Sequence, residues 1–281
     1  MDRQYPGGTM REILKNTALR ATDAVQATIA RRAPDEAALR GCRIVAHRGA
    51  HDNAGIPENT LAAFRLARAS GIWGIECDIR WSADLVPVIH HDPDTRRVFG
   101  RDLTLREQRF AELRAQLPQL PSLAELVAEF GGHTHLMLEL KADAFADPAR
   151  QRDILREQLE PLVPGRDYHL LALDPRLFSL ADFVPPRHCL AVAELGVARL
   201  SAAALEGGYG GLLGHYLLLN ERLRQRHARA GQRIGTGFVA SKNCLFRELN
   251  RGVEWIFSNH AVRLQQAVDA SLGLRGAGAH K

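Results

Sequence analysis

In the stretch GIECDIRWSADLVPVIHHD, from Gly74 to Asp92, two carboxylates interrupt an otherwise apolar run, and His90, His91 and Asp92 close the next one. Side chains along an extended chain repeat their direction every two residues, so Glu76 and Asp78 face the same way. Two carboxylates on one buried face repel each other unless a cation lies between them. The same spacing recurs at Glu139 and Lys141 in THLMLELK, and His47 and Arg48 end the earlier run RIVAHR. Glu76, Asp78 and Glu139 form an all-oxygen set that suits Mg²⁺ or Ca²⁺ better than zinc, which prefers His and Cys. Arg48 and Lys141 add two cations beside it, suited to an anion held at two points such as a phosphate diester. The charges alone do not choose phosphate over another anion. His47 and His91 supply a base and an acid able to exchange a proton near neutral pH.

These residues can meet only if the runs that carry them end at one place. From Arg43 onward, short apolar runs alternate with amphipathic helices. RIVAHR, WGIECDI, THLMLELK, YHLLAL, CLAVAEL, RIGTGFVA and VEWIFSN are predicted strands, and LVPVIHH is predicted extended. PENTLAAFRLARASG is a predicted helix opened by Pro57 and closed by Gly71. Further helices are predicted at TLREQRFAELRAQL, PSLAELVAEFGG, DPARQRDILREQLEPL, DPRLFSLADF, ARLSAAALEGG, NERLRQRHARAG, NCLFRELNRG and AVRLQQAVDAS. Roughly eight strands alternating with helices fit an α/β class, a closed (β/α)8 TIM barrel. A doubly wound open sheet is the alternative, but no Gly-rich phosphate loop follows the first strand. In a barrel, residues at strand C-termini gather at one mouth, which is where every residue singled out above falls.

The rest of the chain narrows the class. Its 281 residues are 46% apolar and 25% charged, ordinary for a soluble globular protein. The net charge of +5 is spread among interleaved acids and bases, without the concentrated basic face of a nucleic-acid binder. Cys42, Cys77, Cys189 and Cys244 have no CxxC spacing, which fits a reducing, cytoplasmic setting. No segment is long and apolar enough to span a bilayer, and the N-terminus lacks the apolar run of a signal peptide. Residues from about Met10 to Arg32 have loosely helical apolar spacing. They are expected to form a helix packed on the main domain or on a second copy in a homo-oligomer. A peripheral membrane helix would need aromatic anchors that this one lacks. RRAPDEAALRG is expected to be a linker. The expected domains are an extension and linker over 1–40, a barrel over 41–272 and a frayed tail over 273–281.

The segment from Val45 to Asp92 resembles the glycerophosphodiester phosphodiesterase family, whose barrel is of the phosphatidylinositol-phosphodiesterase kind. The resemblance lies in His47-Arg48-Gly49, Pro57-Glu58-Asn59-Thr60, the Glu76/Asp78 strand and His91-Asp92, with LELK from Leu138 to Lys141 matching the next strand. It is dense over Arg43 to Lys141 and loose but collinear to about Leu264. It implies a metal-dependent phosphodiesterase on a TIM barrel. In that reading His47 and His91 are the acid/base pair, Glu76, Asp78 and Glu139 hold the metal, and Arg48 and Lys141 grip the phosphate. His91 takes the catalytic place and His90, facing the other way, is structural. His51 is at most a rim contact.

Several positions depart from the family pattern. A turn usually Asp-Gly is Asp84-Leu85, and Ala172-Leu173 replaces Ser-Phe. Phe238 takes an aromatic place in a strand end that usually reads Trp-Thr-Val-Asn, and Ser258-Asn259 replaces Thr-Asp. Residues 93–119 are too few for the inserted subdomain of many relatives. These departures are expected to lie around the mouth, clear of the metal and acid/base residues, and to bear on the alcohol group. The expected reaction is hydrolysis of a glycerophosphodiester to glycerol 3-phosphate and an alcohol. Alternatives are a lysophospholipase D or sphingomyelinase D-like lipid phosphodiesterase, with YGGLLGHYLLL lining an apolar groove or forming a barrel strand, and a non-catalytic anion-binding barrel.

Overall fold

A computed structural model describes residues 21–143, 145–194 and 196–274. Eight strands form a closed parallel barrel: β1 (Arg43–His47), β2 (Gly74–Trp81), β4 (His135–Leu140), β5 (Tyr168–Ala172), β6 (Cys189–Ala193), β7 (Gly211–His215), β8 (Arg233–Gly237) and β9 (Trp255–Ser258). Closure comes from β1 pairing with both β2 and β9. The extended run before His90 contributes β3 (Pro87–Ile89), which is no stave of the barrel and folds back antiparallel on the end of β2. Beyond it a short excursion packs Val88, Leu105, Leu113, Leu117 and Leu120 into a small core of its own.

The alternation within each strand sorts its side chains between two cores. On β2, Ile75, Cys77, Ile79 and Trp81 face the helices, in one cluster with Phe64 and Ala67 of helix Leu61–Ala69 and with Leu123, Leu126 and Phe130 of helix Leu123–Phe130. Val45, Met137, Leu171, Leu190, Leu213, Trp255 and Phe257 form a second cluster, on the strand faces that point into the barrel. Gly235 leaves room for them, since a Cβ there would lie 2.5 Å from Leu213 Cδ2 and 3.1 Å from the Phe257 ring.

Several expectations change. The helix after the first strand begins at Leu61 and not at Pro57; Thr60 caps it, accepting from the Ala63 amide. Glu58, Asn59 and Thr60 are instead a buried turn. The stretch read as a linker contains helix Glu36–Gly41, capped by Asp35, and its Leu39 joins the main core. DPRLFSLADF forms a 3-10 helix, Pro175–Ala181. YGGLLGHYLLL supplies β7 and the turn after it, with Leu212, Leu213 and Leu219 buried in the core. Of the expected N-terminal helix, residues 21–28 are helical and lie against the barrel. The Asn243 amide donates to the Ala27 carbonyl at 2.7 Å, and Asp23 is 3.7 Å from His215. The expected residues before 21, and the tail from 275, lie outside the described residues. Among the described residues, no helix is long and apolar enough to cross a membrane.

Filling the space at Gly235 tests the interior packing directly. Gly235→Ala is expected to destabilise the fold by about 1–3 kcal/mol, the usual cost of overpacking a close-packed core. The denaturant midpoint measures it, and an unchanged midpoint would mean the inner layer is loosely packed.

Candidate active site

Strand register builds the mouth. His47 pairs with Glu76 across β1 and β2, and Asp78 pairs with Glu139 across β2 and β4. Paired residues on neighbouring strands share a face, so all four project into the barrel at its C-terminal end. Carboxylate oxygens of Glu76, Asp78 and Glu139 all lie within 4.8 Å of one another. The three side chains belong to residues only 2%, 1% and 8% exposed, so their repulsion is not screened by water.

The cations are unevenly shared among them. Lys141 Nζ donates to Glu139 Oε1 at 2.7 Å and lies 3.2 Å from Asp78 Oδ1. Arg48 Nε is 3.4 Å from Asp78 Oδ2, which also accepts from the Asn59 amide at 2.8 Å. Burial works against the Asp78 charge, but Lys141 and Arg48 outweigh it and hold this carboxyl low. Glu76 accepts the Arg48 backbone N–H at 3.0 Å and has His47 Nε2 at 3.8 Å. Burial and then the neighbouring Asp78 and Glu139 carboxylates push its pKa well up, and burial pushes Glu139 up as well. The set lacks positive charge at its centre. Three converging carboxylates, the all-oxygen group found among the described residues, fit a hard divalent cation.

The loop after β1 positions Arg48. Its φ is +57° and that of Gly49 is +83°, a left-handed turn unfavourable for most residues. At Gly49 a side chain would also clash, 2.8 Å from Ala63 Cβ and from the Phe64 ring. The turn lets Arg48 use its backbone on Glu76 while its guanidinium reaches Glu58 at 2.8 Å and Asp78. Glu58 accepts two bonds from Arg97, at 2.5 and 2.9 Å, and Arg97 Nε donates to Asp92 at 2.5 Å. Burial opposes the Glu58 charge, yet Arg97 and Arg48 keep its carboxyl well below the usual range.

Both histidines have a fixed orientation. His91 Nδ1 is 2.6 Å from Asp92 Oδ1, and His47 Nδ1 is 2.6 Å from Asn259 Oδ1. Each oxygen can only accept, so each ring carries its proton on Nδ1 and leaves Nε2 as the basic nitrogen. Burial lowers both pKa values, that of His47 to about 3 with Arg48 adding to the effect. The Arg80 guanidinium donates to the His91 carbonyl at 2.6 Å and pairs with Asp143, fixing the backbone there. His90 points away, fully buried, donating from Nε2 to the Asp94 carbonyl at 3.0 Å and stacked on Phe99. His51 lies in the loop after Arg48, and neither of its buried ring nitrogens has a hydrogen-bond partner among the described residues.

All seven residues singled out in the sequence thus lie at one mouth. One expectation about the departures is corrected: Asn259 bonds His47 directly, and the Phe238 ring lies edge-on to His47 at 5.7 Å between centroids. Asn259 follows β9, which pairs with β1, and Phe238 follows β8, the next strand round, so both strand ends bring their residues to His47. Arg97, Glu58, Asn59, Asp92 and Arg80 were given no role by sequence reasoning. The signal for two of them was present in Pro57-Glu58-Asn59-Thr60, a polar run beside a proline that packs inside.

Residues 47–156 match the glycerophosphoryl diester phosphodiesterase family. Glycerophosphodiester phosphodiesterase 1 of Bos taurus is 37% identical over 115 residues, covering 36% of this chain and 34% of the relative, and the human protein of that name is 40% identical over 102 residues, covering 32% and 30%. The chain therefore matches about a third of the length of these curated relatives. Among solved structures, a glycerophosphodiester phosphodiesterase from Thermotoga maritima superposes with a TM-score of 0.68 at 18% identity, covering 80% of this chain and 97% of the other. A phosphodiesterase from Oleispira antarctica, in complex with the product sn-glycerol-3-phosphate, gives 0.68 at 22% identity, covering 81% and 96%. The fold is that of these barrels, and the segment that builds the mouth, residues 47–156, is the one similar to the glycerophosphoryl diester phosphodiesterase family.

Proposed function

We propose that this chain is a phosphoric diester hydrolase that converts a glycerophosphodiester to glycerol 3-phosphate and an alcohol, with Mg²⁺ or Ca²⁺ as its cofactor. The observation that carries this reading is the convergence of three buried carboxylates, two cations and two oriented histidines within the segment that matches the family. The sn-glycerol-3-phosphate in the Oleispira antarctica barrel supports the same product. Glu76, Asp78 and Glu139 would hold the metal, and when bound it would neutralise phosphate charge and the charge that builds up during transfer. Arg48 and Lys141, already at the mouth beside these carboxylates, would bind the phosphate oxygens.

His47 and His91 share the proton transfers. With Nδ1 fixed by Asn259 or Asp92, each has Nε2 for the reacting proton. One takes the proton of the nucleophile, either water or the substrate's own glycerol hydroxyl, and the other protonates the leaving alcohol. The functional unit in this reading is the barrel over 41–272, with 1–40 as an extension, through which a homo-oligomer would form, and 273–281 as a tail. The full set of seven residues argues for an enzyme over a non-catalytic barrel, and a cytoplasmic setting fits the unpaired cysteines.

Incubation of the purified chain with a panel of glycerophosphodiesters should release glycerol 3-phosphate. A chelator should abolish release, and added Mg²⁺ or Ca²⁺ should restore it. Release from no member of the panel, with metal present, would contradict the reading.

The adjacent histidines give a second test. His91→Gln is expected to lower kcat at least about 10²-fold, the scale of a lost general acid or base, with metal content unchanged. His90→Gln should lower the melting temperature and spare kcat. A substrate with a strongly acidic leaving alcohol should rescue a variant at the acid histidine alone. Normal turnover by His91→Gln, with an inactive His90→Gln, would reverse the assignment.

A further inference from the structure

The opposite end of the barrel carries a second polar group that the chemistry at the mouth does not use. On the inward faces, Arg43 lies one step below Val45, His135 below Met137, His169 below Leu171 and Trp255 below Phe257. The apolar layer of Val45, Met137, Leu171, Leu190, Leu213 and Phe257 separates this group from the mouth. Beneath it is a cavity of about 430 Å³ lined by Arg43, Arg187, Arg233, His169, His188 and Trp255, among others. Three arginines line it, and no Asp or Glu is among its described lining residues. Arg43 and Arg233 lie over Trp73 and Trp255, each 5.2 Å from the ring centroid. These cation–π contacts hold the side chains without supplying a counter-charge. Arg233 has a carboxylate partner in Glu254 at 3.1 Å, outside the cavity lining.

Two further observations point to a ligand. Trp255 is 3% exposed and its indole N–H has no hydrogen-bond partner among the described residues, although buried donors are normally paired. The histidines also have a fixed polarity. His135 Nδ1 is 3.0 Å from the Arg166 carbonyl and must donate to it, so His135 Nε2 accepts from His169 Nδ1 at 2.8 Å. His169 then keeps Nε2 as an acceptor. Burial, with the neighbouring His135 and His188, lowers its pKa to about 3, so it stays neutral.

We propose that this cavity is a second ligand site, taking a small phosphate anion that still carries a hydrogen, either inorganic phosphate or a phosphate monoester. Arg43, Arg187, Arg233 and the Trp255 N–H donate to its oxygens, and His169 Nε2 accepts its hydrogen. Sulfate has the same shape and charge but no hydrogen at neutral pH, so it leaves His169 unmatched. The site lies on the face that barrel enzymes do not use for chemistry, separated from the mouth by the apolar layer.

Titration of the full chain with inorganic phosphate, read by tryptophan fluorescence and calorimetry, tests this. Trp73 and Trp255 stack 6.5 Å apart at this end, so binding here should change their emission saturably. Sulfate should bind at least about 10-fold more weakly, the scale of one charge-assisted hydrogen bond. Arg187→Gln/Arg233→Gln should raise Kd for phosphate by about 10-fold or more, with kcat for diester hydrolysis unchanged. If the double variant does not fold, Arg187→Gln alone, an exposed position outside the strands, should raise Kd about 3-fold or more. Trp255→Phe should weaken phosphate binding as well. Absence of a saturable response, equal affinity for sulfate, or unchanged binding in the arginine variants would overturn the proposal. Phosphate binding at the mouth would appear as the last of these outcomes.

Discussion

Glu76, Asp78 and Glu139 meet inside 4.8 Å at a place nearly closed to water. Like charges at that separation in a poorly screened site oppose one another by an amount no surface pair experiences. Much of the surrounding structure offsets this repulsion. Lys141 bridges Asp78 and Glu139, Arg48 supports Asp78 by side chain and Glu76 by backbone, and Asn59 adds an amide to Asp78. These partners stabilise Asp78 most and Glu76 least, which is why burial and its neighbours raise Glu76 while Asp78 stays low. A divalent cation is the group that would satisfy all three at once.

The supports are themselves supported. Arg48 can serve two carboxylates only because its backbone is left-handed, and Asn59, at φ +54°, is held by its own N–H to the Arg48 carbonyl at 2.9 Å. Glu58, Arg97 and Asp92 form a chain of charge-assisted bonds from Arg48 to His91. Positions of Arg48 and His91 are thereby coupled through groups that lie outside the carboxylate cluster. Such supporting shells set ligand orientation and basicity at metal sites. His47 has a neutral partner, Asn259, where His91 has a carboxylate. The two rings therefore share a tautomer but differ in how well their surroundings support a positive charge.

The sequence exposed what strand periodicity controls. Glu76 and Asp78, and Glu139 with Lys141, are legible because an i, i+2 pair of charges in an apolar run has one consistent explanation, and the alternation of elements then places them at one mouth. What could not be read depends on contacts between distant segments. Arg97 reaches Glu58 across 39 positions, and His47 reaches Asn259 across 212. Nothing in the local pattern around either residue marks its partner. Local signals also misled where a tertiary demand overrode them. Pro57 looks like a helix opener, but Glu58 and Asn59 are needed by the site, so the helix waits for Thr60. At Asp84-Leu85 the chain keeps a left-handed turn without glycine, Leu85 at φ +59°, with Asp84 accepting from Ser82 and the Phe110 amide.

The geometry of this carboxylate cluster fits a divalent-cation site. Calorimetric titration of the metal-stripped chain with Mg²⁺ and with Ca²⁺ tests it most directly. One ion should bind per chain, Asp78→Asn should abolish binding in a folded protein, and Asn59→Gly should weaken it about 10–100-fold, the range for a lost supporting group. Failure of the folded wild-type chain to bind either ion, or binding unaffected by Asp78→Asn, would mean that these carboxylates hold no cation.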